Sequence, residues 1–187
     1  AFLGLCDDDA PLILCIITVA EDPRATTADL LAPVVINIRT RVGRQILLED
    51  QPGLDLLLTP VGGGGLLSGS AIAAKAMRPG IQVIGCEPAG ADDAKRSFES
   101  GELLPMPNPQ TIADGLRGAL GTRSFAVIRT LVDEMVTVTD EQIVAAMRLV
   151  WERMKIIVEP SSAVCLAAVL ANPKEVAGRH VGIIISG

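Results

Sequence analysis

Apolar residues in the later part of the chain fall into short continuous blocks. Three blocks, at residues 54–61, 81–86 and 181–185, are typical of strands buried on both faces of a parallel sheet. A shorter strand is predicted at residues 135–138. Segments with helical patterns separate these blocks, so we predict an α/β fold in which a parallel sheet carries helices on both faces.

Helices are predicted where apolar positions recur at helical spacing or where helix-starting residues follow a turn. The predicted ranges are 68–77, 92–101, 124–134, 139–154 and 161–170. Thr139 is a favourable N-cap because Asp140 and Glu141 follow it in the first turn. Pro160 suits the first turn of the last helix.

The start of the chain has a weaker pattern than the rest. Within residues 1–51, apolar runs at 12–19 and 34–38 suggest two strands, with a helix among the remaining residues. We therefore divide the chain into a poorly patterned segment, 1–51, and a regular domain, 52–187. The domain ends just after a predicted strand, where ligands bind in α/β sheets, and we expect it to be truncated there.

Composition excludes several classes of function. The net charge is −6, aromatic residues make up 2% and tyrosine is absent, so the chain lacks the basic and stacking surfaces that bind nucleic acid. The apolar run at 11–20 is too short to span a membrane, and acidic residues at 7–9 do not resemble a signal peptide. The cysteines lack metal-site spacing, and Cys86 and Cys165 lie in apolar runs that favour buried free thiols. We expect a cytoplasmic protein.

The most informative motif is a run of four glycines, residues 62–65, between a predicted strand and a predicted helix. Backbone N–H groups can converge there without side chains in the way, and the helix start adds partial positive charge, so the motif favours a bound phosphate. It is not a Walker A loop, and Leu67 stands where a dinucleotide fingerprint needs its third glycine. A tight strand-to-helix turn without a ligand is the alternative.

The segment from Pro60 to Gly69 resembles the phosphate-binding loop of fold-type II pyridoxal-phosphate (PLP) enzymes. Further segments are similar to the serine racemase and threonine dehydratase branch, in the same order, over about residues 52–187. They are residues 87–93, 111–115 and 151–161, and Ser186-Gly187, which resembles the start of a Ser-Gly-Gly-Asn motif.

The resemblance implies a PLP site. Ser186 would hydrogen-bond the pyridine nitrogen, and a hydroxyl there makes the ring a weaker electron sink, which suits elimination and α-proton transfer. The alternative for Ser186 is an ordinary hydroxyl at a strand end. Backbone N–H groups that would bind the cofactor phosphate belong to Gly62, Gly63, Gly64, Gly65 and Leu66.

The resemblance also implies a divalent-cation site at Glu87, Ala91 and Asp93. Two carboxylates and a carbonyl are hard oxygen donors that suit Mg²⁺ or Ca²⁺. The alternative is a solvated acidic turn before a helix. Arg123 stands near the place where the racemase branch can supply a further ligand, and it is a poor one.

Several other residues have a simpler alternative to the role that the resemblance implies. Glu159 resembles a carboxylate near the cofactor ring but also fits an exposed acid, and Lys155 resembles a nucleotide-binding lysine but fits an exposed one better. The Asp114-Gly115 pair resembles a segment facing the cofactor, or it forms a turn. His180 is expected at the surface.

The lysine that would form a Schiff base with PLP is missing, so no catalytic residue is assigned. The four lysines, Lys75, Lys95, Lys155 and Lys174, all lack the family's Ser-x-Lys context. The resemblance implies a serine/threonine dehydratase or serine racemase, homodimeric when intact, that acts on small hydroxy amino acids, and we expect this chain alone to be inactive. The alternatives are a non-catalytic module that binds a phosphate-bearing metabolite, or a degenerate gene product. Racemase and dehydratase are not separated.

Overall fold

The computed structural model describes residues 12–18, 34–39 and 53–186, the first two segments as backbone strands. The strands of the described residues are Leu12–Thr18 (β1), Val34–Arg39 (β2), Leu56–Pro60 (β3), Gln82–Pro88 (β4), Glu134–Val138 (β5) and His180–Ile185 (β6). These six strands form one sheet in the order β2-β1-β6-β3-β4-β5.

Strand direction divides the sheet into two parts. Strands β6, β3, β4 and β5 are parallel neighbours, which confirms the predicted parallel sheet. Strand β1 pairs antiparallel with both β2 and β6, so the sheet continues beyond the parallel part as an antiparallel edge. The apolar runs at 12–19 and 34–38 do form strands, while the helix expected within residues 1–51 lies outside the described residues.

The helices cover both faces of the sheet, as predicted. They are Gly65–Met77 (α1), Asp93–Ser100 (α2), Thr122–Leu131 (α3), Asp140–Leu149 (α4), Pro160–Ala171 (α5) and the short Pro173–Val176 (α6). Leu57 packs with α1 and α3 in one apolar cluster, whereas Leu58 packs with α4 and α5 in the other. Because consecutive strand residues point to opposite faces, two covered faces require a continuous apolar strand.

Several helix boundaries differ from the predictions; α3, for example, ends at Leu131 instead of residue 134. Helix α1 begins at Gly65 instead of residue 68, so the last glycine of the run already belongs to the helix. The helix predicted over 139–154 is α-helical only to Leu149 and continues as a π-helical turn, Val150–Met154. Its predicted N-cap is confirmed, since the Thr139 hydroxyl accepts a hydrogen bond from the amide of Gln142 at 3.3 Å.

The described residues include two of the four cysteine side chains. Cys86 and Cys165 are buried free thiols, as expected, while the other two cysteine side chains lie outside the described set. The helices in the described part of the chain all fall short of the length and apolar character that a membrane span needs.

Candidate cofactor-binding site

The predicted site residues gather at one edge of the sheet, where the parallel strands end. Strand β3 leads into the glycine loop, residues 62–65, and β6 leads into Ser186. Strands β3 and β6 are parallel neighbours, so the glycine loop and Ser186 come together at the same edge. Glu87 lies near the end of β4, on the other side of β3.

The glycine loop is packed on one side and open on the other. Gly64 has a left-handed φ of 81°, and a β-carbon there would lie 2.6 Å from Leu120 Cδ1 and 2.7 Å from Ser124 Cβ. In contrast, a β-carbon on Gly65 would meet no atom within 4 Å. Gly64 thus anchors the loop, and the side next to Gly65 has room for a ligand.

The amides of the loop are available to an anion. Within the described part of the chain, no hydrogen bond is donated by the backbone N–H groups of residues 62–66. The bonds on either side are made: Val61 donates to the Cys86 carbonyl at 3.0 Å, and Ser68 donates to the Gly64 carbonyl at 2.9 Å. Unpaired donors at a helix start, with open space beside them, fit a phosphate group.

A second segment, residues 111–121, lies against the glycine loop, and we call it the strap. The Gly121 amide donates to the Gly63 carbonyl at 3.2 Å. A β-carbon added at Gly62 would lie 3.3 Å from the Gly115 carbonyl oxygen, so the two backbones are in close contact. The Gly115 amide donates to Ser161 Oγ at 3.1 Å, which ties the strap to the start of α5.

Ser186 lies half-buried directly after β6. Its carbonyl accepts a hydrogen bond from the Ser162 hydroxyl in the first turn of α5. Sequence reasoning missed the roles of Ser161 and Ser162 in holding the strap and the strand end. The signal was a Pro-Ser-Ser start to a helix, which indicates only a helix N-terminus.

Glu87 and Asp93 are both 1% exposed, which argues against the solvated acidic turn. The Glu87 carboxylate accepts hydrogen bonds from the backbone amides of Ala94 at 3.2 Å and Lys95 at 2.8 Å, and so caps the start of α2. Burial raises the pKa of Glu87 to about 8; the Lys95 amide opposes this shift and the nearby Asp93 charge adds to it. The Asp93 carboxylate accepts the Leu120 amide of the strap at 2.7 Å.

A cation between these two buried carboxyl groups would favour the ionised form of both. Ala91, the third predicted ligand, is also buried. The described residues contain no cluster of three or more His, Cys, Asp or Glu side chains suited to a metal. A cation here would therefore need the Ala91 carbonyl and water besides the two carboxylates.

The remaining candidates are spread around the molecule. Glu159 is exposed and faces the strap: its Oε1 would lie 3.7 Å from a β-carbon on Gly115. His180 is exposed at the start of β6, away from the glycine loop, and lies 3.5 Å from the Asp55 carboxylate, which confirms the surface prediction. Lys155 is exposed, and its ammonium donates to the Glu152 carbonyl at 2.9 Å.

No lysine lies at the glycine loop, although all four lysines fall in the described range 53–186. Lys75 is ten residues along α1 from Gly65, about 15 Å away along the axis. Its ammonium is held by the Asp133 carboxylate at 2.7 Å. Lys95 lies on helix α2 near Glu99. Lys155 follows the π-helical turn, and Lys174 lies on α6.

The chain is similar in sequence to a known protein family and to characterised enzymes. The family model described as "Pyridoxal-phosphate dependent enzyme" matches residues 8–187. The chain belongs to this family. Among relatives of this PLP enzyme chain, serine racemase of Dictyostelium discoideum is 50% identical over 147 residues, covering 75% of the chain and 45% of the relative. The L-threo-3-hydroxyaspartate ammonia-lyase of Saccharomyces cerevisiae is 46% identical over 142 residues, covering 75% and 44%.

Solved structures agree with the fold of a fold-type II PLP enzyme. Maize serine racemase superposes with a TM-score of 0.73 at 42% identity, covering 78% of this chain and 47% of that one. The serine racemase of Dictyostelium discoideum superposes with a TM-score of 0.71 at 49% identity, covering 78% and 47%. A threonine deaminase superposes with a TM-score of 0.68 at 44% identity, covering 72% and 52%. The chain thus spans about half the length of the relatives it matches.

Proposed function

We propose that residues 52–187 form the phosphate-binding part of a PLP-dependent racemase or dehydratase of small hydroxy amino acids. The observation that carries the proposal is the set of unpaired amides at residues 62–66, open to one side at the start of α1. The names of the relatives, serine racemase and hydroxyaspartate ammonia-lyase, support the substrate class.

The loop amides, Ser186 and the strap would each have a separate role in holding the cofactor. The amides of residues 62–66 would hold the phosphate, and Ser186 would hydrogen-bond the pyridine nitrogen from the neighbouring strand. The bound cofactor supplies the electron sink that makes the α-proton of an amino acid acidic. The strap would exclude water from the packed side of the loop.

We expect the phosphate group of a ligand to determine its affinity for the glycine loop. Pyridoxamine 5′-phosphate should bind at least about ten-fold more tightly than pyridoxamine in equilibrium dialysis, because only the phosphorylated compound uses the loop amides. These ligands lack an aldehyde, so lysine chemistry does not disturb the comparison. Equal affinity for the two compounds would contradict the proposal. Tighter binding of a nucleotide would favour the non-catalytic module.

A labelling experiment on the same protein tests whether any of its lysines can form a Schiff base with bound PLP. We propose that the chain alone does not catalyse the family reaction, since its lysines lie away from the loop. After treatment with one equivalent of PLP and borohydride, peptide mapping should find no lysine labelled selectively. Selective labelling of one lysine, lost when phosphate competes, would overturn this point.

We also propose that Mg²⁺ or Ca²⁺ binds the Glu87 and Asp93 carboxylates and the Ala91 carbonyl, because buried neighbouring carboxylates repel each other. Either cation should raise the thermal midpoint of the wild type by several degrees relative to Na⁺ at equal ionic strength. Glu87→Gln keeps the side-chain shape but removes a ligand charge, and should lose this increase. An equal increase in both proteins would exclude the site.

A further inference from the structure

The strap is fixed at its first residue by one carboxylate. The Thr111 hydroxyl donates to Asp140 Oδ1 at 2.6 Å, and the Ile112 amide donates to Asp140 Oδ2 at 3.1 Å. Asp140 is the first residue of α4, where the helix dipole stabilises a negative charge. Both oxygens of one carboxylate therefore hold the strap to the start of α4.

Thr111 also closes the first turn of the strap on itself. Its hydroxyl oxygen accepts the Ala113 amide at 3.1 Å, and its carbonyl accepts two hydrogen bonds from the Arg117 guanidinium, with Nε at 3.1 Å. Thr111 is 5% exposed, so these bonds are largely shielded from water. Losing one would leave a buried polar group unpaired, which is costly.

The far end of the strap contacts the glycine loop. The Gly121 amide donates to the Gly63 carbonyl at 3.2 Å, and the Leu120 side chain occupies the space beside Gly64. Consecutive glycines have much conformational freedom, so their amides stay aligned only if the surroundings hold them. Among the described residues, the strap makes these contacts on the packed side of the loop.

We propose that Asp140, Thr111 and Arg117 are positioning residues that align the phosphate-binding amides through the strap. None of the three contacts the loop in the hydrogen bonds described above. They act by fixing residues 111–117, which include the contact of Gly115 with Gly62 and continue into the loop contacts at 120 and 121. The inference rests on the proposed function, because it assumes that the loop binds phosphate. Alignment before binding reduces the entropy lost when the ligand binds.

Two variants remove the anchor with little change of shape: Asp140→Asn and Thr111→Val. In equilibrium dialysis, each should bind pyridoxamine 5′-phosphate on the order of ten-fold more weakly, the loss typical of one charge-assisted hydrogen bond. Affinity for pyridoxamine should not change, which separates a phosphate effect from general loosening. Thr111→Ser keeps the hydroxyl and should keep wild-type affinity.

Glu141→Gln is the matched control, because it removes the same charge from the same helical turn at an exposed residue. It should bind like the wild type. Amide hydrogen exchange at residues 112–121 should be faster in Asp140→Asn than in Glu141→Gln. If urea denaturation shows that either anchor variant does not fold, Arg117→Gln, at an exposed residue, is tested in its place. It should show the same loss of affinity for pyridoxamine 5′-phosphate and none for pyridoxamine.

The outcomes separate the two proposals. If the wild type prefers the phosphorylated ligand and the anchor variants lose that preference, the positioning role is supported. If all variants keep the preference, the positioning role is wrong and the proposed function stands. If the wild type shows no preference, the proposed function fails and the positioning role fails with it.

Discussion

Gly64→Ala is expected to abolish phosphate binding and to lower the free energy of unfolding by about 3 kcal/mol. The residue has a φ of 81°, where an L side chain is strained, and the new methyl carbon would lie 2.6 Å from Leu120 and 2.7 Å from Ser124. Relief requires the loop to move away from the strap and α3. The amides of residues 62–66 would then no longer point to one position.

Urea denaturation and dialysis with pyridoxamine 5′-phosphate measure the two effects. Gly65→Ala is the control for stability, because its methyl group meets no atom within 4 Å and alanine suits the first residue of a helix. Its unfolding midpoint should match or exceed that of the wild type. A Gly64→Ala protein with wild-type stability and affinity would show that the left-handed turn is not needed.

Gly90→Ala is expected to cost more than about 3 kcal/mol of stability, the upper range for overpacking. A β-carbon there would lie 1.7 Å from the Gln110 carbonyl oxygen, a backbone atom that cannot turn aside like a side chain. The clash would separate the loop after β4 from the segment before the strap. It would also break the hydrogen bond from the Gln110 amide to the Gly90 carbonyl, 2.8 Å long.

The measurement is the unfolding free energy from urea titration, with Gly80→Ala as the matched control. A β-carbon on Gly80 meets nothing within 4 Å, so that variant should change stability by less than about 0.5 kcal/mol. Similar stability of the two variants would mean that the backbone at Gly90 moves aside at little cost.

The parallel strands and their helices could be predicted because burial on both faces leaves a continuous apolar run. Leu57 and Leu58 show the reason, since they enter different apolar clusters on opposite faces. The direction of β1 could not be predicted, because a short apolar run indicates burial and does not by itself fix the direction of the neighbouring strand. The early start of α1 was hidden by glycine, which has a low helix propensity.

The part of the site that adjacent residues form was predicted, whereas the contacts between residues distant in the sequence were missed. The four glycines form a motif that can be read from adjacent residues. In contrast, Asp140 binds Thr111 across 29 residues, and Ser161 binds Gly115 across 46. The burial of Glu87 and Asp93 likewise depends on elements that meet only in the folded chain, whereas most acidic residues are exposed.

The position of β6 also has a consequence for how the chain assembles. Among the described strands, β6 is the link between the β1–β2 pair and β3, and it comes last in the sequence. Its Val181 pairs with Ile17, across most of the chain length. During synthesis, both β1 and β3 therefore keep an unpaired edge until β6 has emerged, so closure of this sheet depends on a long-range pairing.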